Sequence, residues 1–149
     1  MRRQISIKTK FGWISVFEEK DRIVKVKFGK HKNIYTSKNL KKFKSSLNAF
    51  LNRKSKSIKS NFIIKGTPIQ KKVWGELKNI KFGKTKSYGE IAKKHELSPR
   101  HVGKICGQNK LLLLVPCHRV IRTDGSLGGF TSIGGTKLKK KLLDFEKSW

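Results

Sequence analysis

Start signals for short helices between residues 67 and 109 constrain the fold more than any other feature of the sequence. A Thr-Pro pair at Thr67 is typical of an N-cap followed by the first helical residue. The stretch "SYGE" has the spacing of a capping box, with Ser87 as the cap and Glu90 as its partner. A Ser-Pro pair at Ser98 marks another helix start. The last two helices are short and joined by a tight turn, so the sequence predicts a helix-turn-helix here.

The part of the chain before these helices is typical of a small sheet with one helix. "FGWISVF" and "RIVKVKF" are rich in β-branched and aromatic residues, and the polar "EEKD" between them predicts a hairpin. "NLKKFKSSLNAFLN" has apolar residues at helical spacing, and "RKSKSIKSN" after it is a candidate linker. We therefore predict an α/β (α+β) protein. A structural N-terminal α/β domain covers residues 1–60, and a mainly helical C-terminal domain covers residues 61–149.

The last third of the chain combines an apolar run, a glycine-rich loop and a final helix. The run "LLLLV" before "PCHRV" predicts a short apolar strand. The loop "TDGSLGGFTSIGG" leads into "TKLKKKLLDFEKSW", which has helical periodicity. The predicted buried stripe of that helix consists of Leu138, Leu142, Phe145 and Trp149. Glu146 lies at the edge of this stripe, so its carboxylate is expected to be partly hidden from water.

Positive charge is the dominant global property of the sequence. Thirty-seven Lys and Arg residues against nine Asp and Glu give a formal net charge of +28. Such an excess favours polyanions, with nucleic acid as the leading partner and an anionic membrane or a ribosome-like setting as alternatives. A uniformly lysine-coated surface is a further reading. No apolar run is long enough to span a bilayer, and no signal peptide is recognisable, so we expect a cytoplasmic protein, or a nuclear one in a eukaryote.

The cysteines are expected to be reduced thiols rather than a disulfide. A zinc site from His101, Cys106, Cys117 and His118 is conceivable, but the spacing matches none of the common zinc patterns, and we predict no metal and no cofactor. We interpret Cys106 as a small residue of the hydrophobic core, because its helical spacing places it with Val102 and Ile105.

Cys117 allows either a core position or a nucleophilic role. The thiolate is the reactive form of cysteine, and His118 is the neighbouring base. Adjacent residues on an extended segment point to opposite faces, so direct contact needs a turn, or a water between the two groups. A carboxylate that orients the imidazole would improve the base, and Glu146 is our candidate. The alternative is a cysteine that only fills space behind the leucines.

The segment "VPCHRV" resembles the active-site signature of the O6-alkylguanine-DNA alkyltransferases, also called methylated-DNA–protein-cysteine methyltransferases. "FGKTKSYGEIA", "SPRHVG", "GQN", "SLGGF" and "LKKKLLDFE" are similar to other blocks of that family, in the same order. The similarity covers residues 67–147. The preceding part matches only in its general form.

This resemblance implies a DNA repair protein that flips an alkylated base out of duplex DNA and transfers the alkyl group to its own cysteine in a single turnover. Its substrate would be O6-alkylguanine, and also O4-alkylthymine, and the protein would act as a monomer without a membrane partner. The catalytic residues implied are Cys117 as acceptor, His118 as base through a water, Glu146 as its support, Tyr88 as proton donor and Asn109 as a brace. The residues implied at the base are Val120, Phe130, Thr131 and Ser132, together with the backbone carbonyl of Cys117.

The DNA contacts implied by the resemblance are Arg100, Ser98, His101, Lys104 and Arg119. Arg100 would fill the space left by the flipped base, although a plain phosphate contact is the alternative. Helix N-termini and lysines would hold phosphates without reading sequence.

The chain departs from the family pattern in its loop, which is longer by two residues, so either Thr131 or Ser132 would offer the backbone N–H. Phe130 stands where tyrosine is frequent, and Cys106 could be a second, slower thiol. A non-catalytic damage-sensing protein is an alternative function, and a general basic nucleic-acid-binding protein is another.

Overall fold

The chain folds into two compact units in a computed structural model that describes residues 2–130 and 132–149. The first unit contains the chain up to Lys65 together with Lys110–Leu114, and the second contains Gly66–Asn109 and Val115–Trp149. The α+β class predicted from the sequence is confirmed by both units and by the structural comparisons described below.

The first unit is built on an antiparallel sheet of β1 (Arg2–Thr9), β2 (Gly12–Glu19) and β3 (Arg22–Phe28). The β2–β3 turn is the polar turn that the sequence predicts, with positive φ at Lys20 and Asp21 (50° and 62°). Strand β1 was not predicted from the sequence. It is an edge strand, "RRQISIKT", and its charged, half-exposed side chains obscure the alternation of apolar and polar residues.

Helix α1 (Lys38–Leu51) begins after Ser37, whose side chain accepts a hydrogen bond from the backbone N–H of Leu40. The apolar residues that the sequence places on one stripe of this helix are all buried: Leu40, Phe43, Leu47, Phe50 and Leu51. Burial of this stripe provides the core of the first unit, since each large apolar side chain contributes about 1.5–3 kcal/mol when fully buried.

The second unit contains α2 (Pro68–Lys78), α3 (Tyr88–His95), α4 (Pro99–Gly107) and α5 (Gly135–Lys147). Two short strands, β4 (Lys86–Ser87) and β5 (Val120–Ile121), pair in parallel next to α3.

The predicted helix caps are all present in this unit. The side chains of Thr67 and Ser87 accept hydrogen bonds in complete capping boxes with Gln70 and Glu90. Ser98 accepts a hydrogen bond from the backbone N–H of His101. Helix α3 is followed by its C-cap Glu96, which has the left-handed conformation (φ 56°), and α4 starts three residues after this cap. The α3–α4 pair is the helix-turn-helix that the capping pattern predicts.

The apolar run before Pro116 is not the strand predicted from its composition. Leu111 makes one parallel bridge to Val26, in which the N–H of Val26 donates to the carbonyl of Lys110 and the N–H of Leu112 donates to that of Val26. The chain then turns, because Leu113 has a φ of 70°, which ends an extended segment. A run of leucines fits a buried turn as well as a strand, since its periodicity is uninformative.

The final helix differs from its predicted stripe at its end and at Lys139 and Leu143, which are buried as well. Leu138, Leu142 and Phe145 are buried, whereas Trp149 is half-exposed and packs its ring against Phe82 at a centroid distance of 4.9 Å. Within residues 2–130 and 132–149, no helix is both long and apolar enough to cross a bilayer.

Candidate functional site

Cys117 lies at the start of a single 3-10 turn that the surrounding backbone holds in place. Its N–H donates to the carbonyl of Val115 at 2.8 Å, and the N–H of Arg119 donates to that of Pro116 at 3.0 Å. The side-chain amide of Asn109 also donates to the Val115 carbonyl, at 2.8 Å. Asn109, at the end of the helix pair, is therefore bonded to the turn that carries the thiol.

The thiol borders a cavity of about 790 Å³ in the second unit, a volume within the range of ligand pockets. Cys117 is 6% exposed, so only a small part of it reaches this space. The lining residues come from α3, α4, the 3-10 turn and the segment from β5 through the glycine-rich loop: Tyr88, Pro99, Arg100, Gly103, Cys106, Gly107, Cys117, Arg122, Thr123, Gly128, Gly129 and Phe130. The helix-turn-helix therefore forms the wall of the same cavity that holds the thiol.

Burial controls the protonation of Cys117. It raises the pKa of the thiol above its ordinary value, while a hydrogen bond from the Asn109 side chain and the charge of Lys139 act in the opposite direction. Burial dominates, so the resting group is a neutral thiol at pH 7. A nucleophilic role therefore requires a base that removes the proton as the reaction proceeds.

A buried network of a histidine, a glutamate and an arginine lies behind the turn. The Nε2 of His118 is 2.6 Å from Oε2 of Glu146, and both side chains are 2% exposed. The guanidinium of Arg119 donates to both oxygens of Glu146, from Nε at 2.9 Å and from Nη2 at 3.1 Å. One carboxylate thus binds the side chains of two residues that follow the thiol.

The protonation states in this network follow from burial and pairing. Burial acts to raise the pKa of Glu146, but His118 and Arg119 outweigh it and bring the pKa to about 2. Burial lowers the pKa of His118 below its ordinary value, although Glu146 opposes this. A neutral His118 whose Nε2–H is held by the ionised Glu146 has Nδ1 free to accept a proton.

Arg119 is not placed where a DNA contact would require it. Besides its two bonds to Glu146, its Nη1 donates to the carbonyl of Ile80 at 2.8 Å, and the residue is 9% exposed. Three of the five guanidinium N–H groups thus donate inside the protein, and the nearly buried side chain offers little surface to a phosphate. The prediction of Arg119 as a DNA contact is therefore corrected: the residue anchors Glu146.

Tyr88 is the first residue of α3 and lies in the cavity wall. Burial, with the nearby Cys106 and Cys117, raises the pKa of its hydroxyl to about 12, so the phenol keeps its proton at neutral pH. Its ring lies close to the backbone of Gly128, where a Cβ would come within 2.9 Å of Cε2 and 3.0 Å of Oη. Gly128, with a φ of 73°, leaves the space that this tyrosine occupies.

Lys139 is a site residue that the sequence reasoning missed. It has no exposed surface, and its Nζ donates to the Tyr88 hydroxyl and to the Gly129 carbonyl, each at 3.2 Å. Burial lowers its pKa to about 8. The signal was its spacing: Lys139 precedes Glu146 by seven residues, which places both on the same side of α5.

The predicted DNA contacts on α4 are exposed. Ser98 caps the helix, Arg100 lies at its start and also borders the cavity, and His101 and Lys104 follow along the helix. Their contacts with DNA remain predictions.

The predicted base-binding residues are only partly brought together. Phe130 borders the cavity, and Val120 is fully buried in β5. The Ser132 hydroxyl donates to the carbonyl of Ile133 at 3.1 Å, and in the described part of the chain Ser132 is not among the lining residues. Thr131 lies outside the described residues. Residues not predicted from the sequence, notably Arg122 and Thr123, border the cavity as well.

Cys106 also borders the cavity and is buried like a core residue. Burial and the neighbouring Cys117 raise the pKa of its thiol to about 12. It is therefore a poor nucleophile in the resting protein.

The fold and the site together define a helix-turn-helix domain with a buried thiol at a cavity and a His–Glu pair behind it. Residues 68–148, more than half of the chain, match the family model described as the DNA binding domain of 6-O-methylguanine DNA methyltransferase. The chain belongs to this family, as the resemblance of "PCHRV" and its flanking blocks indicated.

Relatives and solved structures agree with this membership. The chain is similar to the methylated-DNA–protein-cysteine methyltransferase of Saccharomyces cerevisiae, with 45% identity over 84 residues, which are 55% of this chain and 44% of the relative. The chain thus spans about half the length of the curated relatives it matches.

Two crystal structures cover almost the whole fold. That of the Mycobacterium tuberculosis O6-methylguanine methyltransferase has a TM-score of 0.87 and 28% identity, covering 99% of this chain and 94% of that one. That of Mycobacterium tuberculosis OGT in complex with DNA has a TM-score of 0.85 and 29% identity, covering 97% of this chain and 92% of that one.

Proposed function

We propose that this protein repairs DNA by transferring the alkyl group of O6-alkylguanine to Cys117. The observation that supports this most is the position of the thiol, at a cavity walled by the helix-turn-helix and directly before the His118–Glu146 pair. Family membership and similarity to the Mycobacterium tuberculosis protein in complex with DNA support DNA as the partner. In the reaction a bond forms between Sγ and the alkyl carbon, and the bond from that carbon to O6 breaks.

His118 acts as the base for the thiol in this proposal. Its Nε2 is held by Glu146, which leaves Nδ1 to take the thiol proton, through a water between the two groups. Because burial keeps the thiol neutral at rest, proton removal belongs to the reaction step and not to the resting state. Asn109 and the positive charge of Lys139 then stabilise the developing thiolate.

Tyr88 and Lys139 act at the other end of the transferred group. Guanine leaves with the electron pair of the broken bond and takes a proton from the Tyr88 hydroxyl. Lys139, which donates to that hydroxyl at 3.2 Å, returns a proton to it. A phenol with a pKa of about 12 is a weak acid, so the adjacent ammonium is what makes the proton transfer favourable.

The remaining predicted residues would bring the base to the thiol. The alkylated base leaves duplex DNA and enters the cavity, and Arg100 at its border fills the vacated space. Ser98, His101 and Lys104 on α4 contact phosphates. The carbonyls of Cys117 and Val120 accept from the guanine amino group, and a backbone N–H of Thr131 or Ser132 donates to the guanine oxygen. The thioether is stable, so each molecule reacts once, as a monomer, with O4-alkylthymine as a further substrate.

Intact-protein mass after incubation with duplex DNA containing O6-methylguanine tests the proposal. We expect a gain of one methyl group, absent in Cys117→Ala and present in Cys106→Ala. If the mass does not change while the lesion is bound tightly, the alternative of a non-catalytic damage sensor holds. If binding shows no preference for the lesion at any salt concentration, the protein is a general nucleic-acid binder.

A further inference from the structure

One face of the β1–β3 sheet is covered by cations, and we call it the cationic face. Alternate residues of a strand share a face, so Trp13, Ser15 and Phe17 of β2 lie on one side and Ile14 and Val16 on the other. Ile14 and Val16 are fully buried in the core of the first unit. The register places Lys8 opposite Trp13, Lys27 opposite Ser15 and Lys25 opposite Phe17. The side away from the core is therefore lined with lysine at each of these cross-strand positions.

Aromatic rings hold several of these cations in place. The Phe17 ring has Arg2 Cζ at 5.7 Å, Lys27 Nζ at 5.8 Å and Lys25 Nζ at 5.9 Å from its centroid. Lys30 Nζ lies 4.7 Å from the Trp13 ring. The ring quadrupole attracts a cation that lies over the face of the ring. The charged ends are thus positioned by the sheet rather than free to spread apart in solvent.

The positive charge on this face is poorly compensated. Burial, and then the charges of Lys27, Lys110 and Arg2, lower the pKa of Lys25. Among the described residues, one ion pair compensates the cations of this face: Arg2 pairs with Glu19 at 3.6 Å, and both side chains are exposed. An exposed ion pair of this kind stabilises the fold little, because solvent screens it. Cations crowded in this way destabilise the fold until an anion lies over them.

We propose that the cationic face is a sequence-independent binding surface for the phosphate backbone of nucleic acid, additional to the helix-turn-helix. A membrane surface fits less well, because binding at a lipid interface needs apolar side chains that insert. Phe17 is only 7% exposed, because the His31 ring, at a centroid distance of 5.6 Å, covers it together with the cations. Trp13 is half-exposed but lies under Lys30, and Ile34 and Tyr35 are exposed beside the face. The cations outnumber these groups, and a row of fixed cations matches a polyanion whose charge lies at its surface.

Salt titration of binding to an unmodified double-stranded oligonucleotide tests this surface. Arg2→Gln/Lys25→Gln/Lys27→Gln should reduce the slope of log K against log salt by about 2–3, since each lost phosphate contact removes about 0.9. The matched control is Lys41→Gln/Lys42→Gln/Lys44→Gln, which removes the same charge from exposed positions of α1 in the same unit. The control should change the slope by less than 1. The probe carries no damaged base, so the result does not depend on alkyl transfer.

A second variant separates binding from folding. Lys8→Gln/Lys110→Gln leaves the contacts to Phe17 and Trp13 intact, so it should melt at the wild-type temperature and still reduce the slope by about 1–2. Equal losses in the α1 control would overturn the proposal in favour of a uniform cationic coat, and an unchanged slope in both sheet variants would also overturn it. So would loss of binding to phosphatidylserine vesicles with duplex binding unchanged, because the surface would then be a membrane site.

Discussion

Glu146 binds His118 and Arg119 with the same carboxylate, at 2.6 Å from Nε2 of the histidine and 2.9 Å from Nε of the arginine. The two partners lie on a single turn with the thiol, while Glu146 comes from the last helix. The carboxylate also accepts the backbone N–H of Gly83 at 3.1 Å. Orientation of the proposed base and anchoring of the 3-10 turn therefore depend on one side chain.

Replacing Glu146 should affect both rate and stability. Glu146→Gln removes the charge that holds the His118 tautomer and leaves the buried Arg119 guanidinium uncompensated. We expect single-turnover alkyl transfer to slow by roughly 10²-fold or more. We also expect the free energy of unfolding to fall by about 3–5 kcal/mol, measured by chemical denaturation.

Asp144→Asn is the control for that change, because Asp144 lies on the same helix in an exposed pair with Lys140 at 2.8 Å. It should cost about 0.5 kcal/mol or less and leave transfer unchanged. Equal rates in Glu146→Gln and wild type would remove Glu146 from the mechanism.

Lys139 should lower stability while supporting transfer. Its pKa is depressed to about 8 by burial, so the folded protein binds fewer protons than the unfolded chain between pH 8 and 10.5, and stability rises with pH across that window. Below about pH 8 the buried Lys139 ammonium lowers the free energy of unfolding by its full amount. Lys139→Met should therefore raise the free energy of unfolding at neutral pH by roughly 1–3 kcal/mol and slow transfer at least tenfold.

The pH profile distinguishes a role in proton transfer from packing by Lys139. In the wild type, the rate attributable to the ammonium should decline as pH rises through about 8. The rate of Lys139→Met should not show this decline, and in Lys139→Arg the decline should occur at a higher pH. If Lys139→Met is less stable than the wild type and its rate still declines above about pH 8, then Lys139 neither destabilises the fold nor takes part in proton transfer.

Gly128 and Gly125 form a matched pair that isolates the position of Tyr88. Both have positive φ, 73° and 88°, but only at Gly128 would a Cβ meet Tyr88, whereas nothing lies within 4 Å at Gly125. Gly128→Ala and Gly125→Ala should thus share a backbone cost of about 1 kcal/mol. Only the former should slow transfer, through displacement of the phenol, in a single-turnover assay. The assignment of Tyr88 fails if the two variants transfer equally fast.

Arg100 should matter for duplex substrates and little for a free base. It is exposed at the start of α4 and borders the cavity, and in our proposal it fills the space left by the flipped base. Arg100→Ala should slow transfer from duplex DNA by roughly 10-fold or more, since unstacking a base costs a few kcal/mol. Transfer from free O6-alkylguanine should change by less than twofold. Similar losses on both substrates would point to a role in the cavity itself.

Local signals predicted the helix-turn-helix well, because caps are decided by residues within one turn. Thr67, Ser87 and Ser98 each make the predicted side-chain bond. The family resemblance implied that Arg119 contacts DNA, yet its burial depends on a carboxylate 27 residues away in sequence. Pairing over that distance has no local pattern.

Lys139 and β1 were missed for a related reason. Lysine on a helix is ordinarily exposed, and only the arrangement of Tyr88 and Gly129 around it explains its burial. An edge strand with charged residues has a weak alternation, and its identity follows from pairing with β2. In both cases the deciding partner is distant in the chain.

The burial of Cys117 also affects how fast its thiol is oxidised before a substrate binds. Peroxides oxidise thiolates much faster than thiols, and a neutral sulfur with 6% exposure is a poor target for them. A protein that reacts only once through one sulfur, as we propose here, cannot recover from accidental oxidation of that sulfur to the sulfinic acid. For the proposed reaction, keeping that sulfur protonated and nearly buried until a base enters the cavity preserves its capacity to react.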